Sequence, residues 1–157
     1  MLVGFMGSGK TTVGRAVAAR LGLPFTDLDE LLERRTGRTI AEVFESQGEA
    51  KFREAESAAV PEALAAGGVV ALGGGTPMDD TTWRLVRQAA LTIFLNADPD
   101  RLWERAAAPH RPLTRDLEEF RLRYRARLPR YQEADRSVDA NRPFDEVVAE
   151  VLELCAG

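Results

Sequence analysis

The chain reads as an α/β protein, a three-layer αβα sandwich around a short parallel sheet, and three observations lead there. Two short, predominantly apolar runs, 69–72 and 91–95, are too short for helices and have the composition of strands buried on both faces. Longer stretches with apolar residues at helical spacing alternate with them, the pattern of strands linked by crossover helices. Residues 4–12, GFMGSGKTT, complete a G-x-x-x-x-G-K-[ST] phosphate loop between an apolar start (Met1, Leu2, Val3) and an amphipathic helix pattern.

The elements follow in order. Three residues precede Gly4, so the first strand is short. A first helix from Lys10 to Leu21 carries Val13, Val17 and Leu21 on one face and stops at Gly22, a natural left-handed cap. Residues 23–26 form a second strand ending at Asp27, and a helical stretch with Leu28, Leu31 and Leu32 breaks near Gly37. Thr39 and Glu42 have capping-box spacing and open a helix through Phe44 that ends around Gly48. Residues 49–66 are helical by alanine content and by the Phe52, Ala55, Ala59 spacing, with Pro61 inside.

Beyond the two apolar strands, 100–107 reads as helix and 108–115 as a loop with Pro109 and Pro112. An arginine-rich helix over 117–135 is bent or interrupted at Pro129, and 137–139 supply an edge strand. The closing helix from Phe144 sets Val147, Val148, Val151, Leu152 and Cys155 in one stripe, which makes Cys155 a core residue. No repeat or linker divides the 157 residues, so a single domain is expected.

Composition narrows the function classes. A lone cysteine excludes a disulfide framework or a thiolate metal cluster, and there is neither a signal-peptide pattern nor an apolar run of membrane-spanning length; a cytoplasmic protein with no membrane partner is expected. Of the 19 arginines, 11 fall between Arg101 and Arg142 with only 7 acidic residues, so that segment is cationic although the net charge is −4. A solvated helix face accounts for much of it, and the acidic whole with little aromatic interleaving argues against nucleic acid. Small-molecule chemistry in a monomer is the expectation.

The strand tips carry that chemistry, because open parallel sheets bind ligands beyond the carboxyl ends of their strands. Gly4, Gly7 and Gly9 let the loop turn so that the N–H groups of residues such as Ser8 and Thr12 converge on phosphate oxygens. Lys10 would reach the β/γ-phosphates and the Thr11 hydroxyl would ligate Mg²⁺. Phosphate-loop enzymes commonly add a strand-end acid to the metal, and since 69–72 ends in glycine, Asp27 is the best replacement; its alternative is a helix N-cap. Asp29 could reach an acceptor. Gly73, Gly74 and Gly75 permit close approach of a ligand to backbone N–H groups, or simply form a turn. Arg53 and Glu56, three apart on a helix, are either a surface ion pair or an arginine fork held by Glu56 and aimed at a substrate carboxylate.

These motifs, in this order, resemble shikimate kinases. The resemblance runs through GFMGSGKTT at 4–12, FTDLD at 25–29, the set Ile40, Glu42, Phe44, Gly48, Glu49, Phe52, Arg53, Glu56, then ALGGG at 71–75, RPL at 111–113, and Arg127, Tyr131, Ala134 and Asp135. It implies a nucleoside-monophosphate-kinase-like P-loop fold and transfer of the ATP γ-phosphate to the 3-hydroxyl of shikimate with Mg²⁺. It further implies that Asp27 supports the metal, that Asp29 orients or deprotonates the attacking hydroxyl, and that Arg53 and Arg127 grip the carboxylate, with Glu56 behind Arg53 and Gly73, Gly74 and Gly75 lining the ring. A substrate-binding helical region would span about 28–60. Arg111, in a lid over about 108–115, would move onto the phosphates, and Arg105, Arg142 and Pro143 would flank the adenine. That lid is about one residue short against the family pattern. His110, inside it, reads as an exposed loop residue. The rival readings are another small-metabolite kinase, such as a gluconate or adenylate kinase, and a nucleotide-dependent binding module without turnover.

Overall fold

The computed structural model describes residues 1–106 and 116–157. Five parallel strands, β1 (Leu2–Val3), β2 (Phe25–Asp27), β3 (Val69–Ala71), β4 (Ile93–Asn96) and β5 (Arg136–Asp139), lie in the order β2-β3-β1-β4-β5. The helices among the described residues are α1 (Lys10–Leu21), α2 (Leu28–Thr36), α3 (Ile40–Ala66), α4 (Asp80–Ala89), α5 (Pro99–Ala106), α6 (Leu117–Tyr131) and α7 (Phe144–Ala156). Although only two residues long, β1 is the middle strand: Leu2 aligns with Ala71 on one side and Ile93 on the other, and both of its side chains are buried. This central position sets the phosphate loop in the middle of the sheet's carboxyl edge.

Local chemistry explains the boundaries. Thr39 and Glu42 form the capping box of α3, and the helix kinks at Gly48, whose φ of 82° lies in the left-handed region; both halves remain helical and Pro61 sits inside the second. Gly14 weakens α1 by composition, yet a Cβ there would fall 2.5 Å from the Phe25 ring, so the glycine lets α1 settle on β2. One element has no counterpart in the sequence reading. Helix α4 buries Thr82, Trp83 and Val86 on one face, and its N-cap is Asp79, whose carboxylate accepts from Thr82 N at 2.7 Å.

Three expectations are corrected. Helix α6 passes through Pro129 but stops at Tyr131 rather than reaching 135, and turns at Glu133 and Ala134 lead into β5. Cys155 is exposed rather than core, and Leu21 is 38% exposed. In α7 and α1 alike, full burial ends about a turn before the helix does, at Val151 and at Ala18, so the last apolar position of each stripe lies at the edge of the core. The arginine-rich helix is largely ion-paired: Arg121 with Asp100 and Glu118, Arg123 with Glu119, Arg130 with Asp80 and Glu133. No helix among the described residues is long and apolar enough to cross a membrane.

Asp135 ties the start of β5 to β4. Its carboxylate accepts from Thr92 N at 2.8 Å and Thr92 Oγ1 at 2.7 Å, and these hydrogen bonds hold its pKa below the ordinary carboxylate value. A depressed folded-state pKa contributes stability that is present above the unfolded value and lost as pH falls through the folded one. Asp135→Asn is therefore expected to lower Tm at neutral pH, with the two proteins converging in acid below the usual carboxylate range; thermal melts across pH check this.

Candidate active site

Positive φ values at Gly4 (150°), Gly7 (81°) and Gly9 (89°) shape the phosphate loop. The first two have no room for a side chain either: a Cβ on Gly4 would meet Leu95 O at 2.9 Å, and one on Gly7 would meet Leu102 O at 2.7 Å. Ser8 is buried, and Lys10, Thr11 and Thr12 form the first turn of α1. Lys10 folds back over the loop, its Nζ donating to Gly4 O at 2.8 Å and Phe5 O at 3.0 Å. Those carbonyls hold the ammonium beside the glycine nest without neutralising it.

Asp27 does two jobs. Its Oδ1 caps α2 by accepting from Asp29 N at 3.0 Å and Glu30 N at 3.2 Å, while its Oδ2 accepts from Thr11 Oγ1 at 2.5 Å. Asp27 is therefore an N-cap through one oxygen, and the other oxygen is held at the Thr11 hydroxyl. A hydroxyl and a carboxylate oxygen meeting at the foot of the loop are hard donors that fit Mg²⁺. Among the described residues no group of three or more His, Cys, Asp or Glu could hold a metal by itself, so a cation here would need phosphate and water as further ligands.

Asp29 stands in the first turn of α2, facing the tip of β3: a Cβ on Gly73 would lie 3.1 Å from its Oδ1. Solvent reaches Asp29 from the cleft, yet protein atoms fill most of the space around its carboxyl. That desolvation, reinforced by the charges of Asp27 and Glu56, pushes its pKa up to about 6, against the opposing pull of Lys10.

Glu56 is 2% exposed, so its partnership with Arg53 is no surface ion pair. Arg53 Nη1 donates to Glu56 Oε2 at 2.8 Å and Thr76 Oγ1 donates to Oε1 at 2.6 Å, leaving neither carboxylate oxygen unpaired. Arg53 keeps 30% of its side chain exposed beside Gly75, where a Cβ would sit 2.3 Å from Nη1. Gly73 likewise has no space for a Cβ, which would meet Glu56 Oε1 at 2.5 Å. None of Gly73, Gly74 and Gly75 has positive φ, so in this triplet the absent side chains make room for Glu56 and Arg53 rather than for an unusual backbone.

From α6, Arg127 reaches the same segment. Its Nη1 is 3.5 Å from a Cβ built on Gly74, its guanidinium lies over the Phe5 ring at 5.6 Å, and it has no carboxylate partner among the described residues. Two cations, Arg127 at Gly74 and Arg53 at Gly75, thus meet the glycine segment that Asp29 meets at Gly73. Two further residues, which sequence reasoning gave no role, complete the cluster. Tyr131, fully buried, donates from its hydroxyl to Gly74 O at 2.5 Å, and burial pushes its pKa up to about 12. Thr76 holds Glu56. Tyr131 was visible only as a motif member, and a threonine after a glycine triplet carries no signal by itself.

The candidate adenine-side residues meet less tightly. Arg105 is exposed and directs Nη1 and Nη2 toward Ala140 O at 3.4 Å, Pro143 caps α7, and Arg142 pairs with Glu150. A nucleotide contact by Arg142 would require that pair to open. Arg111, His110 and the expected lid lie outside the described residues. A separate depression of about 410 Å³, lined by Trp83, Arg84, Arg87, Arg130 and Glu133 among others, contains none of the groups above.

The shikimate kinase family model matches residues 6–156. A shikimate kinase of Salinibacter ruber is 40% identical over 98% of this chain and 82% of its own length. The structure of shikimate kinase from Acinetobacter baumannii in complex with shikimate superposes with a TM-score of 0.91 at 31% identity, covering 99% of this chain and 90% of that one. A gluconokinase from Sinorhizobium meliloti, the rival class, matches with a TM-score of 0.65 at 25% identity, covering 99% of this chain and 90% of that one. Sequence and architecture point the same way, and the chain belongs to the shikimate kinase family.

Proposed function

We infer that the chain is an ATP-dependent shikimate kinase, transferring the γ-phosphate to the 3-hydroxyl of shikimate to give shikimate 3-phosphate and ADP. The observation that carries the acceptor is the pair of guanidiniums, Arg53 braced on Glu56 and Arg127 without a carboxylate partner among the described residues, gathered with Asp29 along the glycine segment. This arrangement suits a compact ligand bearing a carboxylate at one end and hydroxyls at the other. A second nucleotide would call for an apolar base pocket.

Thr11 and Asp27 would hold Mg²⁺, which when bound neutralises charge on the phosphates. The N–H groups of the loop around Ser8, Gly9 and Thr12 cradle phosphate oxygens at the positive end of α1. Lys10 exchanges the Gly4 and Phe5 carbonyls for phosphate oxygens and follows the group that is transferred. Asp29, with a pKa near neutrality, accepts the proton from the attacking hydroxyl as the new O–P bond forms and the bond to the leaving ADP oxygen breaks. Arg53 and Arg127 fix the ring so that this hydroxyl is in line. By resemblance, Arg111 serves the phosphates and Arg105, Arg142 and Pro143 the adenine side. A cytoplasmic monomer that binds no nucleic acid is part of the same reading.

A coupled ADP-release assay with shikimate, gluconate and AMP as acceptors tests it: turnover is expected with shikimate, and turnover with another acceptor alone would overturn it. Arg53→Lys is expected to raise the KM for shikimate about tenfold or more, since a point charge cannot keep the Glu56 bond and also present a planar fork. ATP binding measured without shikimate should change little. An equal loss of both affinities would make Arg53 a structural partner of Glu56 only.

A further inference from the structure

Two hydroxyl groups outside the catalytic set converge on the arginines that face the acceptor. From one side, Thr76 Oγ1 donates to Glu56 Oε1 at 2.6 Å, and the other oxygen of that carboxylate receives Arg53 Nη1 at 2.8 Å. Both Thr76 and Glu56 are 2% exposed. From the other side, the Tyr131 hydroxyl donates to Gly74 O at 2.5 Å, with the Arg127 guanidinium close by at the same glycine. A Cβ on Gly74 would lie 3.6 Å from Tyr131 Oη and 3.5 Å from Arg127 Nη1, so both groups meet the same face of the glycine segment.

We propose that Thr76 and Tyr131 are positioning residues for carboxylate recognition, Thr76 setting Arg53 through Glu56 and Tyr131 setting Arg127 and the Gly74 carbonyl. The inference rests on the shikimate kinase reading above. Thr76 fixes which Glu56 oxygen is left for Arg53: with its hydroxyl removed, the carboxylate can rotate and the guanidinium loses its fixed bearing. Tyr131 is suited to the same task because its ring is locked. It is fully buried and stacks on Phe94 with centroids 5.4 Å apart, so its hydroxyl is a rigid donor delivered from α6 to a loop 57 residues earlier. The loop itself adds one more fixed point, Thr76 N donating to Gly73 O at 3.1 Å. Neither hydroxyl has to touch the substrate for its loss to matter.

The test is steady-state kinetics on the full chain with Tyr131→Phe, Thr76→Val and Thr76→Ser, using shikimate and, as a probe without the free carboxylate, its methyl ester. For Tyr131→Phe and Thr76→Val the KM for shikimate is expected to rise about tenfold, the equivalent of one oriented charge-assisted hydrogen bond, with kcat and the KM for ATP within about twofold. The preference for shikimate over the methyl ester should shrink in both variants, and Thr76→Ser should restore both quantities. Wild-type protein that fails to turn over shikimate would overturn the functional reading and this inference with it. Turnover by wild type with an unchanged shikimate KM and ester preference in the variants would overturn this inference alone. So would a parallel loss of kcat and of both KM values with a lowered Tm, which is the signature of a structural role.

Discussion

Lys10→Ala is expected to lower kcat by about a thousandfold or more while the protein stays folded, because the charge that follows the transferring phosphoryl group is gone while the loop that binds phosphate remains. The geometry separates the two contributions. The loop's shape is set by three positive-φ glycines, by Ser8 N donating to Phe5 O at 3.2 Å and by Val13 N donating to Gly9 O at 2.8 Å, none of which involves the lysine side chain. The ammonium donates to Gly4 O and Phe5 O among other contacts, none of which sets the backbone conformation of the three glycines. ADP affinity should therefore fall much less than kcat, and the far-UV spectrum and Tm should move little. Lys10→Arg is not expected to rescue, since a planar guanidinium cannot occupy the compact site formed by two adjacent carbonyls. Turnover within tenfold of wild type in folded Lys10→Ala would remove the lysine from the mechanism.

How much of this site could be read in the sequence depends on how local each interaction is. The phosphate loop, the capping box at Thr39 and Glu42 and the break at Gly48 are each specified by residues within a few positions of one another, and all three stand where spacing put them. The partnership of Arg53 and Glu56 was also visible as two residues on one helix face. Its burial was not, because the group that completes it, Thr76, lies 20 residues away. Gly73, Gly74 and Gly75 were legible as a place of close approach, but the reason is the protein's own carboxylate and guanidinium, which no local pattern announces. Tyr131 reaches across 57 residues, so its role follows only once the fold has brought α6 beside the segment that follows β3. Cys155 and Leu21 failed for a different reason: an apolar stripe reports helical phase, and it does not say how long the surface is that will cover it.

Asp29→Asn is expected to do two things together, lowering kcat by about a hundredfold or more while raising Tm at neutral pH. The first follows from proton transfer: the amide preserves the size of the side chain and one acceptor oxygen, but it cannot take the hydroxyl proton. The second follows from the cause of the shift. Desolvation first, then Asp27 and Glu56, push the carboxyl up to about 6, above its value in an unfolded chain, so the charge needed for activity opposes folding. The stability associated with the neutral form is fully present below the unfolded pKa and is lost as pH rises through the folded one. The advantage of the amide should thus be largest above about pH 7 and fade toward about pH 4. Wild-type kcat/KM for shikimate should fall as pH drops through about 6, where Asp29 takes up a proton, and the variant's residual activity should lack that limb. Melting curves and pH–rate profiles on the same two proteins decide the matter. A variant that is both less stable at neutral pH and unchanged in its acid limb would make Asp29 a structural carboxylate, and the proton acceptor would have to be sought elsewhere around the tip of β3.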